Sequence, residues 1–162
     1  MITRSYICIE QEDGMLKGIY CHYDGYLEYN GKILATHYTN REKVEKLISL
    51  GNLFSLQKNI APDPKLPHSF DYDKRQKDVC IFYGRDRGYK GTNAHYVTYE
   101  MVKNSWSKYM YVFRLNNEWY YTKTYHDKPN WQPVKQSLEK KLNSCGMKDD
   151  NIKSSKNLDT EL

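Results

Sequence analysis

The chain lacks most of the features that identify a protein at sight. No apolar run approaches the roughly 18 residues of a membrane-crossing helix, so no membrane partner is expected. The start, Met1-Ile2-Thr3-Arg4-Ser5, has none of the apolar stretch of a secretory signal, which sets the expected location in the cytoplasm. The four cysteines, Cys8, Cys21, Cys80 and Cys145, form no C-x-x-C pair, which removes the close ligand spacing of a structural zinc site. Like charges never run five or six together, and 25 Lys and Arg against 20 Asp and Glu leave a net charge of +5. That balance is too weak for a dedicated DNA-coating protein and of the wrong sign for a DNA mimic. Nucleophile elbow, Walker loop, dinucleotide fingerprint and H-E-x-x-H are all missing, so no catalytic residue, metal or cofactor is expected.

What the chain does have is aromatic surface. Its 162 residues suffice for one domain, only 39% are hydrophobic, and 16 are Tyr. The apolar content therefore lies in large rings with one wet end rather than in aliphatics. Cys8, Cys21 and Cys80 fall in apolar runs and read as reduced thiols packed in a core.

Local patterns predict an α+β fold, an antiparallel sheet of about four or five strands with helices packed on one face. Residues 4–11 and 16–23 are β-rich runs around Glu12-Asp13-Gly14-Met15, the chemistry of a hairpin turn. Asn30 reads as the cap of a short helix through Tyr38. Thr39 with Glu42 reads as a capping box for a helix carrying Val44, Leu47 and Ile48, ended by Gly51. Residues 52–78, with Pro62, Pro64 and Pro67, read as a long irregular connection, the kind of loop that carries function. A short strand at 79–83, a Thr98-capped helix, and a hairpin across Asn116-Asn117 follow. Pro133 opens a C-terminal helix ending at Gly146. The expected organisation is a domain over residues 1–121, an extension with that helix over 122–146, and a disordered tail over 147–162.

Three segments place polar residues at strand ends, where loops build sites. Thr3-Arg4-Ser5 leads into the first strand, and Cys21-His22-Tyr23-Asp24-Gly25-Tyr26 leaves the second. Tyr83-Gly84-Arg85-Asp86-Arg87-Gly88 follows a later strand; its glycines let the chain turn sharply, and its two guanidiniums are forks that suit phosphate. If the first short helix folds back over the hairpin, His37 meets His22 and Asp24 in an acid–base or metal cluster.

Taken together these segments resemble a family of small proteins encoded by tailed bacteriophages and prophages. The resemblance is carried, in the family's order over residues 1–121, by Thr3-Arg4-Ser5, Tyr20 to Tyr26, His37-Tyr38, the helix end from Val44 to Gly51, His68-Ser69-Phe70, and Tyr83 to Gly88. The family usually has Trp where this chain has Tyr23, and the part beyond about residue 122 is an addition. The resemblance implies a phage accessory protein in the cytoplasm of a bacterial host, with counter-defence as its role.

Three activities fit that setting. The favoured one is a binder of a phosphorylated, nucleotide-like small molecule. Arg4, Arg85 and Arg87 would hold phosphates, with Asp86 steadying a fork. Tyr23, Tyr26 or Phe82 would stack on a base, and His22, Asp24 and His37 would read polar edges. The second is an inhibitor that binds a host defence protein such as a CRISPR nuclease, with Trp106, Trp119, Trp131 and Tyr120-Tyr121 as anchors. The third is a metal-dependent phosphodiesterase or nuclease using His22, Asp24 and His37. Weak nucleic-acid binding is compatible with the charge, and the sequence fixes no oligomeric state.

Overall fold

The computed structural model describes residues 2–153, with side chains described to residue 144. Among the described residues eight strands and five α-helices form an α+β fold. The first two strands, β1 (Ser5–Glu10) and β2 (Leu16–Cys21), make the expected hairpin, with Gly14 at φ 86 in the turn. Helices α1 (Lys32–His37) and α2 (Arg41–Ser49) follow. Next come β3 (Leu53–Ser55), β4 (Ile81–Phe82), α3 (Tyr83–Arg87), β5 (His95–Val97) and α4 (Tyr99–Asn104). The second hairpin joins β6 (Tyr109–Phe113) to β7 (Trp119–Lys123), with Asn117 at φ 65 in its turn. The described chain closes with β8 (Gln132–Pro133) and α5 (Val134–Lys153).

The sheet is larger than expected and is mixed rather than antiparallel. Its order is β4-β3-β2-β1-β6-β7-β8, with β5 pairing β2 beside the main path. β1 pairs β6 in parallel, from Ser5 opposite Tyr109 to Ile9 opposite Phe113, and β2 pairs β3 in parallel. A parallel pair needs a long crossover, and no local pattern reports one. The expected strand at 79–83 is β4, and the strands left out of the expectation, β3, β5 and β8, are two or three residues long and too short to show alternation.

Alternation along β1 and β6 sorts the core into two layers, which corrects the expectation of helices on one face only. Ile7, Ile9, Tyr111 and Phe113 point into the main core with Leu34, Val44, Leu47 and Val134, beneath α1, α2 and α5. Cys8, Met110 and Val112 point the other way and pack under Val102 of α4 and Val97 of β5. Cys8, Cys21 and Cys80 are buried free thiols, and burial drives the Cys21 thiol up to about 12.

Local signals place some elements and shift others. α2 is capped by Asn40, whose side chain accepts from the Lys43 amide, rather than by Thr39. Thr98 caps α4 as expected, accepting from the Met101 amide. Leu27–Gly31 forms one wide π-type turn, and Asn30 caps nothing there; it is buried, and its amide donates to the Tyr23 carbonyl and to the Cys21 sulfur. Beyond residue 121, β8 extends the sheet, Val134 is fully buried, and Lys141 bonds Glu28. α5 continues through Gly146; of the tail expected over 147–162, residues 154–162 lie outside the described part. Among the described residues no helix is long and apolar enough to cross a membrane.

Candidate functional site

At the end of the sheet where β2, β3 and β4 meet, rings from six separate segments touch in sequence. Tyr6 of β1 meets Tyr20 of β2, its cross-strand partner, at 6.0 Å between centroids. Tyr20 meets His22 at 6.0 Å, and His22 stacks on Phe54 of β3 at 5.5 Å. Phe54 meets Phe70 at 4.6 Å and Tyr83 at 5.8 Å. Tyr83 stacks on Tyr89 at 5.8 Å with the planes 11° apart. Tyr23 packs edge-on against both His22 and Phe54 at 4.8 Å. These rings are half-buried, and Tyr89 at one end is 50% exposed.

The chain is routed to make this ridge. Asn52 ties its parts together: its side chain accepts from the Tyr20 amide, and its backbone bonds Tyr83 and Thr92. The 61–76 segment is folded onto the ridge by its own polar groups. Gln76 donates to the carbonyls of Asp63 and Leu66, and its amide donates to Nδ1 of His68. Glycine is required at position 25, where a Cβ would lie 2.7 Å from Cβ of Ser5 and 2.8 Å from the Thr3 carbonyl oxygen. This close approach seats Thr3-Arg4-Ser5 against the exit of β2.

Three arginines lie along the rings. The charge of Arg4 acts on both Tyr20 and His22 at one end. Arg75 sits 5.0 Å over Phe54 and 5.5 Å over Phe70, and its Nε donates to the Phe70 carbonyl. Arg87 sits 4.7 Å over Phe70 and 5.2 Å over Tyr89, with its side chain exposed. A cleft of about 440 Å³ opens beside Arg75, lined also by Tyr72, Ser55, Gln57 and Lys77.

Burial first, and the Arg4 charge second, hold the pKa of His22 below its ordinary 6.5. In the tautomer with its proton on Nε2, neutral His22 accepts a hydrogen bond at Nδ1 from the Tyr20 hydroxyl, 2.7 Å away, and keeps Nε2–H as a donor. Burial pushes the Tyr20 phenol up, against the opposing pull of Arg4, and pushes the Tyr83 phenol up to about 12. Both phenols stay protonated and keep a donor at neutral pH.

Of the residues expected at the site, Arg4, His22, Tyr23 and Arg87 come together on this ridge. Arg85 and Asp86 lie behind it and serve the fold. Arg85 spends its guanidinium on the carbonyls of Ile60 and Cys80 and on the Asp86 carboxylate. The Asp86 side chain is 5% exposed and also accepts from the Phe82 amide. The segment expected to be a turn is the helix α3, closed by Gly88 at φ 80. Asp24 holds a φ of 57 at the β2 exit, and its carbonyl accepts from the Asn30 amide. Tyr26 packs on Tyr29, away from the other rings. His37 ends α1, where its carbonyl accepts from Lys43, and among the described residues no group of three His, Cys, Asp or Glu is placed to hold a metal. Phe82 is fully buried and closed to a stacking base.

The sequence reading missed Phe54, Phe70, Arg75 and Tyr89. For Phe54 and Phe70 the one signal was large rings in an otherwise polar, Pro-rich connection; Arg75 is a cation of that connection, and Tyr89 follows Gly88 outside it. Elsewhere an apolar groove of about 770 Å³ lies between α1 and α5 and includes none of the expected site residues. No protein-family profile, curated protein or solved structure matches the chain.

Proposed function

We propose that the protein binds a nucleotide-type ligand on the aromatic ridge, the rings stacking on bases and Arg4, Arg75 and Arg87 meeting phosphates. The observation that carries the reading is the continuous line of rings from Tyr6 to Tyr89 with guanidiniums against it. A base has two π faces and a polar edge. This surface offers flat rings, Nε2–H of His22 and the Tyr83 hydroxyl as their counterparts. Arg supplies charge without titrating and stacks as readily as it pairs. A binder needs no nucleophile or general base. In a phage protein, such binding would withdraw a nucleotide signal or strand from a host defence system.

Calorimetry tests this with mononucleotides, cyclic dinucleotides, cyclic oligoadenylates and a short single-stranded oligonucleotide. At least one is expected to bind with a dissociation constant below about 100 µM, corresponding to roughly 5.5 kcal/mol. Arg87→Ala is expected to weaken that binding without disturbing the fold. If none of the four classes binds, the reading is overturned.

A further inference from the structure

We infer that the ligand of the ridge is an extended single strand of nucleic acid, spanning several nucleotides, rather than one compact nucleotide. This rests on the reading of the ridge as a nucleotide site. Compact ligands are held in concave pockets that bury most of their surface. Here the rings form a connected path from Tyr6 of β1 to Tyr89 after α3, branching at Phe54, which touches His22, Tyr23, Phe70 and Tyr83. A path of several rings, ending at the half-exposed Tyr89 beside Arg87, suits a strand that lays successive bases against different rings.

The placement of charge agrees. A clamp for a single phosphate gathers its guanidiniums on one point. Arg4 instead stands in the Thr3–Ser5 segment seated against Gly25 at the β2 exit, Arg75 lies over Phe54 in the middle, and Arg87 reaches the Tyr89 end. Cations distributed beside a row of rings track a backbone while the bases take the rings. A duplex does not fit this surface, because its bases are already stacked and its edges face grooves.

The test is a length series of labelled thymidine oligomers, dT2, dT4 and dT8, with an eight-base-pair duplex, read by fluorescence anisotropy on the full chain. Affinity is expected to rise at least tenfold from dT2 to dT4 and to flatten beyond a footprint of about four nucleotides, the low end for such single-strand sites. With three phosphates neutralised, log K is expected to fall with log salt at a slope of about −2. Tyr89→Ala is expected to cost about tenfold for dT8. Leu142→Ala, exposed on α5 in the groove that includes no ridge residue, is expected to cost nothing. If dT2 binds as tightly as dT8 and Tyr89→Ala weakens both, the strand inference falls and the ridge remains a nucleotide site. Equal binding of duplex and single strand, indifferent to Tyr89→Ala, overturns the inference in favour of phosphate contact alone. If no oligomer binds while a cyclic nucleotide does, the ligand is compact and the inference falls; if nothing binds, the reading beneath it falls as well.

Discussion

The Tyr20 hydroxyl of β2 and Nδ1 of His22, the residue that follows the strand, lie 2.7 Å apart. The bond joins the part of the ridge built on the β1–β2 hairpin to the part that begins with Phe54. Because burial and Arg4 lower the His22 pKa in the folded chain, the unfolded chain takes up the proton first as pH falls below 6.5. The stability that His22 contributes is therefore fully present above 6.5 and is lost on descending towards the lower folded value. Thermal melts from pH 7.5 to 5.5 are expected to show a falling midpoint, and His22→Gln to show a shallower fall. A variant with an unchanged slope would rule this out.

Arg85 and Arg87 stand two positions apart and are expected to behave oppositely on substitution. Asp86→Ala strips the acceptor from both Arg85 and the Phe82 amide in a nearly dry site, at a cost of about 3 kcal/mol. Arg85→Ala is expected to destabilise comparably, and Arg87→Ala by less than about 0.5 kcal/mol. Urea denaturation reads all three, and a stable Asp86→Ala protein would contradict the locking role.

Trp106 holds a φ of 67 and is 80% exposed, so its side chain gains little packing in return for a left-handed backbone. Trp106→Gly is expected to stabilise the fold by about 1 kcal/mol through relief of that strain. A loss of stability would show instead that the indole makes contacts that matter.

Gly25→Ala drives a methyl onto the Ser5 side chain and the Thr3 carbonyl, at an expected cost of about 2 kcal/mol. Gly14→Ala meets no atom within 4 Å and bears only the strain of its φ of 86, about 1 kcal/mol. Paired melts of the two variants separate crowding from backbone strain.

The part beyond residue 121 carries weight in the fold. Val134→Ala in the main core is expected to cost about 2 kcal/mol, and a chain cut after residue 121 to lose cooperative unfolding, since it also loses Thr122, Thr124 and β8. Near-ultraviolet circular dichroism during melting distinguishes the outcomes.

What was legible in the sequence was what neighbours decide. Both hairpins announce themselves through turn residues that reach positive φ, Gly14 in one and Asn117 in the other, and Thr98 marks the start of α4. The parallel pairing of β1 with β6 was not legible, because Ser5 and Tyr109 share no local pattern and meet only when the whole intervening chain has folded. The site divides in the same way. His22, Tyr23 and Arg87 stood out as polar or aromatic residues at strand ends. Phe54 and Phe70 belong to stretches without period, and only tertiary contact reveals them as neighbours. Arg85 and Arg87 look alike in sequence; the carbonyls of Ile60 and Cys80 that claim Arg85 lie at other points of the chain.

The parallel β1–β6 pair also sets a timetable for synthesis. β1 and β2 leave the ribosome early and can zip at once, but the second edge of β1 stays open until Tyr109–Phe113 has emerged. Throughout that interval the nascent chain carries an unpaired edge along the buried apolar run Ile7-Cys8-Ile9, which is a template for wrong partners. Slower translation across the 22–108 stretch would lengthen the exposure, so the yield of folded protein should depend on elongation rate there more than on the final stability of the domain.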